Sequence, residues 1–445
     1  MKKRYGYALL LVAFAAIATF IFLGYRAREN KIDNLLERNG SSTAINEWIL
    51  MRDYASSLKN KIEKNPEDIK SILALTTLFI QEARITGNYI YYDKAALKCV
   101  NRVLIQDSLN FQALTFKSLI YLSQHHFADG LSIAEKAQKL NPFNAFIYGL
   151  LVDGNVEIGH YDSAVANVDR MESIRPDIRS YARISYLREI HGDYPGAIEA
   201  MHMAVNAGGQ GDETTEWTRV QLGRLFENTG DLKNAKMNYM IALTERPDYP
   251  FALAGLARMA VAEKDYSTAI GLYKKADSMI NDFSIREEWA DVYALNGQKQ
   301  RADSLMDMVI AKLKDDEQSG QKDENIGHYA DRELAYAYLK VNRYDQALEH
   351  ALLEYNRRPD NIDVNETVAW VYYCKKQYAE ALPYLRTALR TNSENPVLLY
   401  CAGLIYAKAG KQSEAKTILQ KAMSTDSNIA MLLKKEGRET WQSLQ

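Results

Sequence analysis

The feature that most constrains this chain is a period. Small residues recur at Ala96, Gly130, Ala164, Ala197, Ala235, Ala269, Ala302, Ala347, Ala381 and Ala415, separated by 34, 34, 33, 38, 34, 33, 45, 34 and 34 residues. Turn signals recur with them, in GHYDSA, GDYPGA, TGDLKNA, KDYSTA, NRYDQA, KQYAEA and GKQSEA. Pro142, Pro176, Pro247 and Pro359 each follow such a small residue by twelve positions. Proline lacks an N–H and has a fixed φ, so it suits a helix boundary and not a helix interior. Stops, turns and small residues repeating in phase predict ten copies of one helix-turn-helix unit.

Residues 216–247, EWTRVQLGRLFENTGDLKNAKMNYMIALTERP, show the unit most plainly. Leu222, Gly223 and Phe226 mark one amphipathic helix and Ala235, Tyr239 and Ala242 the other. Small Gly223 and Ala235 let the two backbones approach closely, because a larger side chain there would hold them apart. Gly230 is suited to leaving the first helix through a left-handed conformation. One such unit cannot cover its own apolar face, so it needs stacked neighbours.

These residue types and offsets resemble the tetratricopeptide repeat (TPR), a 34-residue helical hairpin. The resemblance covers roughly residues 67–427. It implies an all-α solenoid of about ten hairpins in a right-handed superhelix with a concave groove. A membrane anchor followed by many such repeats is similar to bacterial envelope scaffolds. One anchored branch of the family ends in a rubredoxin-like metal domain, for which this chain has no CxxC pair. The chaperone-binding branch clamps a peptide carboxylate with Lys and Asn. The corresponding positions here are Thr115 and Leu119, Gly149 and Asp153, Val220 and Arg224, and Glu366 and Trp370, so that clamp is absent.

Before the repeats, residues 5–25 (YGYALLLVAFAAIATFIFLGY) carry no charge. A helix of that length spans roughly 30 Å, the thickness of a bilayer core, so a single-pass anchor is expected. The basic tail Lys2-Lys3-Arg4 resists translocation, which places the body on the extracytoplasmic (periplasmic) side, with the cytoplasmic face as the alternative. The rival reading is a cleaved signal, with Ala16-Ile17-Ala18 as a small-x-small site. It would release a soluble peptide- or glycan-binding protein.

The expected organisation is an anchor at 1–25, a linker and capping helix at 26–66, and repeat blocks at 67–206, 207–314 and 328–427. An acidic loop occupies 315–327, and a capping helix closes the chain at 428–445. The loop boundaries follow from the Gly-, Ser- and acid-rich stretches AGGQGDETTE and DDEQSGQKDENIG.

Formal net charge is -2, from 55 basic and 57 acidic side chains, with no long basic run. That argues against nucleic acid, whose binding draws on clustered Lys and Arg. Cys99, Cys374 and Cys401 have no metal-ligand spacing, and the seven histidines are scattered without an HExxH. His125-His126 reads as polar surface. No Walker loop, GxGxxG or GxSxG occurs. The reading is therefore non-catalytic, with no cofactor and no metal, and with a protein or peptide as partner.

In TPR proteins the groove is lined by positions 2, 5, 9, 12 and 13 of each first helix. Carried onto this sequence, that resemblance selects Tyr329, Arg332 and Tyr336, then Trp370 and Tyr373, then Tyr400. Arg224 and Arg258, at the ninth position of neighbouring units, extend the surface toward an acidic segment. Trp370, beside Ala369, is the ring expected to face outward. Because no repeat lies in residues 1–25, a chain lacking them should fold and stay in the supernatant when membranes are sedimented. A truncated protein that still pellets with membranes would require a second attachment.

Overall fold

The structure, a computed structural model, describes residues 32–39, 46–321 and 327–445, with a few positions between 13 and 20. From residue 32 onward there are 22 helices and no strand among the described residues. A leading helix, Asn46–Lys64, is followed by ten antiparallel hairpins. Hairpins 1 to 5 are Ile69–Thr86 with Tyr89–Gln106, Phe111–Ser123 with Phe127–Leu140, Ala145–Ile158 with Tyr161–Ile174, Ile178–Ile190 with Tyr194–Asn206, and Glu213–Asn228 with Leu232–Glu245. Hairpins 6 to 10 are Pro250–Ala262 with Tyr266–Asp277, Phe283–Leu295 with Lys299–Gln321, Asp331–Lys340 with Tyr344–Arg357, Ile362–Cys374 with Tyr378–Ala388, and Pro396–Lys408 with Gln412–Met423. Met431–Ser443 caps the stack.

Local chemistry sets the helix ends. Asp68, Asn110, Asn144, Asp231 and Asn395 accept hydrogen bonds from backbone N–H groups in the first turn of their helices, satisfying donors that have no intrahelical partner. The recurring small residues are buried, as their spacing predicts. Hairpin 5 shows why size matters there. The Tyr239 ring is fully buried, and a Cβ on either Gly223 or Gly255 would overlap it. Two neighbouring first helices thus leave room for one tyrosine. In the leading helix Trp48, Leu58 and Ile62 are buried, whereas Tyr54 is exposed.

Two boundaries differ from the sequence reading. The second helix of hairpin 7 runs to Gln321, so the first part of the expected loop at 315–327 is helical. Lys312 pairs with Asp316 one turn on, support that loop composition does not reveal. Residues 322–326 lie outside the described residues. At 207–216, helix begins at Glu213, with Glu213 and Glu216 in its first turn, where the helix dipole favours acids. Most of the expected anchor at 5–25 also lies outside the described residues, and among those described no helix is long and apolar enough to cross a membrane.

The coil returns upon itself. The turns of hairpins 1 to 4 meet the loops leading into hairpins 7 to 10, and the turn of hairpin 5 meets the loop leading into the capping helix. Asn281 N–H donates to the Thr86 carbonyl (3.0 Å), Tyr329 N–H to Gln124 (3.2 Å) and Asn428 N–H to Glu227 (2.9 Å). Asn361 Nδ2 donates to the Glu157 carbonyl (3.0 Å), and Ile362 N–H to the Tyr161 hydroxyl (2.9 Å). Backbones come close enough that a Cβ on Gly87 would lie 2.5 Å from the Asn281 carbonyl oxygen, and one on Gly230 would lie 2.9 Å from that of Asp426. Gly159 and Gly192 face Asp360 and Asn392 in the same way.

Two substitutions separate packing from propensity. Gly271→Ala, on an exposed helical face with open space around it, should raise stability by up to about 1 kcal/mol through helix propensity. Gly223→Ala has the same propensity gain but drives a methyl into Tyr239, and should lower stability by about 1–3 kcal/mol. Chemical denaturation of the two variants checks the signs, and stabilisation by both would show that Tyr239 is loosely held.

Candidate functional site: the interior groove

The groove-facing side chains of hairpins 5 to 7 form a closed ionic network. Arg258 bonds Glu227 (3.0 Å) and Glu288 (3.1 Å), and Arg224 bonds the other oxygen of Glu288 (3.1 Å). The Tyr273 hydroxyl donates to Glu288 (2.9 Å), while Tyr239 bonds Glu227. Burial alone would raise the Glu288 carboxyl, yet Arg258 and Arg224 hold it below the usual carboxylate range. Arg224 and Arg258 are therefore not free cations awaiting an acidic segment, because the chain's own carboxylates already occupy them.

The remaining residues selected from sequence divide by environment. Arg332 and Tyr336 are half-buried in the groove, where Arg332 Nε donates to the Thr367 hydroxyl (3.3 Å) and its guanidinium lies over the Tyr336 ring. Tyr329 sits at the seam between superhelical turns, with Arg357 over its ring at 4.4 Å. Trp370 does not stand outward; it is half-buried and stacks on Tyr373 with ring centres 4.7 Å apart. Tyr373 donates its hydroxyl to Glu436 (2.7 Å) and is buried under the C-terminal cap. Tyr400 is core, only 2% exposed, with its ring where a Cβ on Gly437 would be. The helical offset aims these two rings inward, but the capping helix covers the last hairpins and removes them from the surface.

A pocket missed by the sequence reading lies deeper in the groove. It measures about 170 Å³ and is lined by Tyr186, Glu189, Asp363 and Glu366 from hairpins 4 and 9. None of the three carboxylates has an ion pair among the described residues; the Glu189 side chain accepts one hydrogen bond, from Asn228 (3.2 Å). Burial, reinforced by Asp363 and opposed by Arg332, pushes the Glu366 carboxyl up to about 7. Burial likewise raises Glu189 to about 6, against the Asn228 hydrogen bond and Arg224. Glu366 stands at the fifth position of its helix, where only a Lys or Asn clamp was sought. The signal was its acidity next to Asp363, whereas the wall of the pocket formed by Tyr186 and Glu189 comes from far away in sequence.

Models of the tetratricopeptide repeat family match residues 218–249 and 332–396. With ten stacked hairpins on the same plan, the chain is a tetratricopeptide repeat protein. No curated protein matches it. Among solved structures it is similar to PilW, a widely conserved type IV pilus biogenesis factor (16% identity, 45% of this chain and 92% of that one, TM-score 0.38). It is also similar to a tetratricopeptide repeat protein from Parabacteroides merdae (17%, 60% and 98%, 0.35) and to human IFIT1, solved as a dimer with PPP-AAAA (15%, 77% and 78%, 0.48).

A carboxyl raised above its unfolded value destabilises the fold when charged, so the penalty is full above about pH 7 and fades as pH falls toward the ordinary carboxylate range. Glu366→Gln should therefore raise the Tm at about pH 8 by roughly 1–3 °C and leave it nearly unchanged at about pH 4. Equal effects at both pH values would show that Glu366 is charged and solvated in the groove.

Proposed function

We propose that this chain is a non-catalytic protein–protein interaction scaffold, tethered to a membrane by residues 5–25, that holds a basic segment of a partner in its interior groove. The observation that carries this reading is the set of uncompensated carboxylates. Glu189, Asp363 and Glu366 line one small pocket and none has an ion pair among the described residues; Arg332 faces Asp363 and Glu366 without pairing with either, and Arg224 and Arg258 are paired with Glu227 and Glu288. Leaving charges unpaired in a crowded groove opposes folding, and a Lys or Arg side chain of a partner would relieve it. Tyr186 lends a flat ring beside those charges, and aromatic residues are common energetic centres of interfaces.

Tethering rests on the uncharged run at 5–25 and on its described side chains. Phe14 and Phe20 stand 71% and 80% exposed, uncovered by the body. The basic residues ahead of that run favour an extracytoplasmic body.

The test uses the full chain in its native membrane with a photo-cross-linking residue at Tyr186. A protein adduct is expected, competed by soluble oligolysine and not by oligoglutamate, and lost in Glu189→Gln/Glu366→Gln. Adducts that ignore oligolysine would remove the basic-segment reading. A mature chain beginning at Thr19 would replace the tether with a released protein.

A further inference from the structure

We infer that His125, His328 and Glu333 form a divalent transition-metal site, suited to Zn²⁺, that joins two successive turns of the superhelix. Elsewhere the seam is closed by glycine against backbone, at Gly87, Gly159, Gly192 and Gly230. Hairpin 2 alone among the first five has no glycine at its turn, which reads Gln124-His125-His126. His125 occupies the left-handed position (φ 61°) that glycine holds at those four turns. Its ring lies 4.2 Å from that of His328, 203 residues away in sequence, and stacks on Phe127. One ring nitrogen from each histidine and a carboxylate oxygen of Glu333 lie within 4.8 Å of one another.

Each donor is poised in the form a metal needs. His125 Nδ1 hydrogen-bonds the Tyr329 carbonyl (3.0 Å), which puts the ring proton on Nδ1 and leaves a lone pair on Nε2. His328 is hydrogen-bonded to the Ser123 backbone, so it too is held by one nitrogen with the other free. Backbone carbonyls orient ligating histidines in this way in metal proteins. Glu333 Oε1 lies 3.7 Å from His125 Nδ1, whereas its Oε2 is buried and has no hydrogen-bond partner.

The surroundings permit a cation. Arg357 and Arg358 approach from hairpin 8, but Arg357 pairs with Asp331 and Glu354, and Arg358 with Glu157 and Glu354. Arg332 faces Asp363 and Glu366. The cluster opens on a cavity of about 930 Å³, also lined by Asp153 and Glu157, which gives an ion a way in and room for a fourth ligand such as water. Two imidazoles and one carboxylate, with an open position, suit Zn²⁺ among divalent ions. A tetrahedral site with ligands at about 2.0 Å would set the donors roughly 3.3 Å apart, against the 4.8 Å within which they lie without a metal. A second group, Glu317, Asp331 and His350, is less available, because Asp331 already bonds His350 and Arg357.

The experiment titrates the tag-free full chain, stripped with chelator, with Zn²⁺ and with Co²⁺ as a spectroscopic probe. One equivalent should bind, giving the visible bands of four-coordinate Co²⁺ and a rise in Tm. His125→Ala, His328→Ala and Glu333→Gln should each weaken binding at least about tenfold, whereas His350→Ala and His202→Ala should not. If a variant fails to fold, diethyl pyrocarbonate labelling of the unaltered chain decides, since Zn²⁺ should protect His125 and His328 while leaving His202 reactive. Absence of stoichiometric binding, loss of binding in His350→Ala, or unprotected His125 and His328 would overturn the assignment.

Discussion

The contact on which the interior depends is the seam where one turn of the superhelix meets the next. A repeat solenoid is ordinarily held by contacts between neighbours alone. Here the early hairpins also hydrogen-bond the next superhelical turn, Thr86 and Gln124 meeting the loops into hairpins 7 and 8 and Glu227 the loop into the capping helix. The seam fixes the pitch, and the pitch decides which groove side chains face one another. Glu189 reaches Asp363 and Glu366 across it, although more than 170 residues separate them in sequence.

The groove this creates is crowded and polar. Arg258 shows the consequence. Surrounded by Glu227, Glu288 and two tyrosines, its charge is held on firmly even though burial alone would weaken it. Removing one partner of such a buried pair leaves an uncompensated charge, and that is more damaging than the pair is stabilising. The network therefore acts as a fixed wall between hairpins 5 and 7. The pocket at Glu189 and Glu366, where three carboxylates outnumber the one facing guanidinium of Arg332 and none is ion-paired, is the part of the lining left with unsatisfied electrostatics. Both properties follow from which carboxylates the superhelix brings close to which guanidinium groups.

Much of the fold was legible in particular residues. Ala164, Ala235 and Ala381 are buried at the helix contacts their spacing implied, and Gly230 is left-handed where the turn required it. The groove was legible only in part. Helical offset selects Arg332 and Tyr336, which are half-buried, but the same rule selects Tyr373 and Tyr400, which the final helix buries. A per-repeat rule cannot see a cap that crosses its own surface. Asn281, Asn361, Asn392 and Asn428 recur in the loops that form the seam, a signal that no single repeat makes conspicuous.

The sequence by itself determined the unit, its number and its stacking, because these depend on contacts within about 40 residues that recur with each period. It also determined the uncharged stretch at 5–25 and the absence of familiar catalytic motifs. Tertiary structure alone decided which charges are paired, which rings are covered, and that His125 lies beside His328 and Glu333. The last of these joins residues some 200 positions apart, at a distance set by the accumulated twist of six hairpins, and the others cross from one repeat to another, which no pattern within a single repeat encodes.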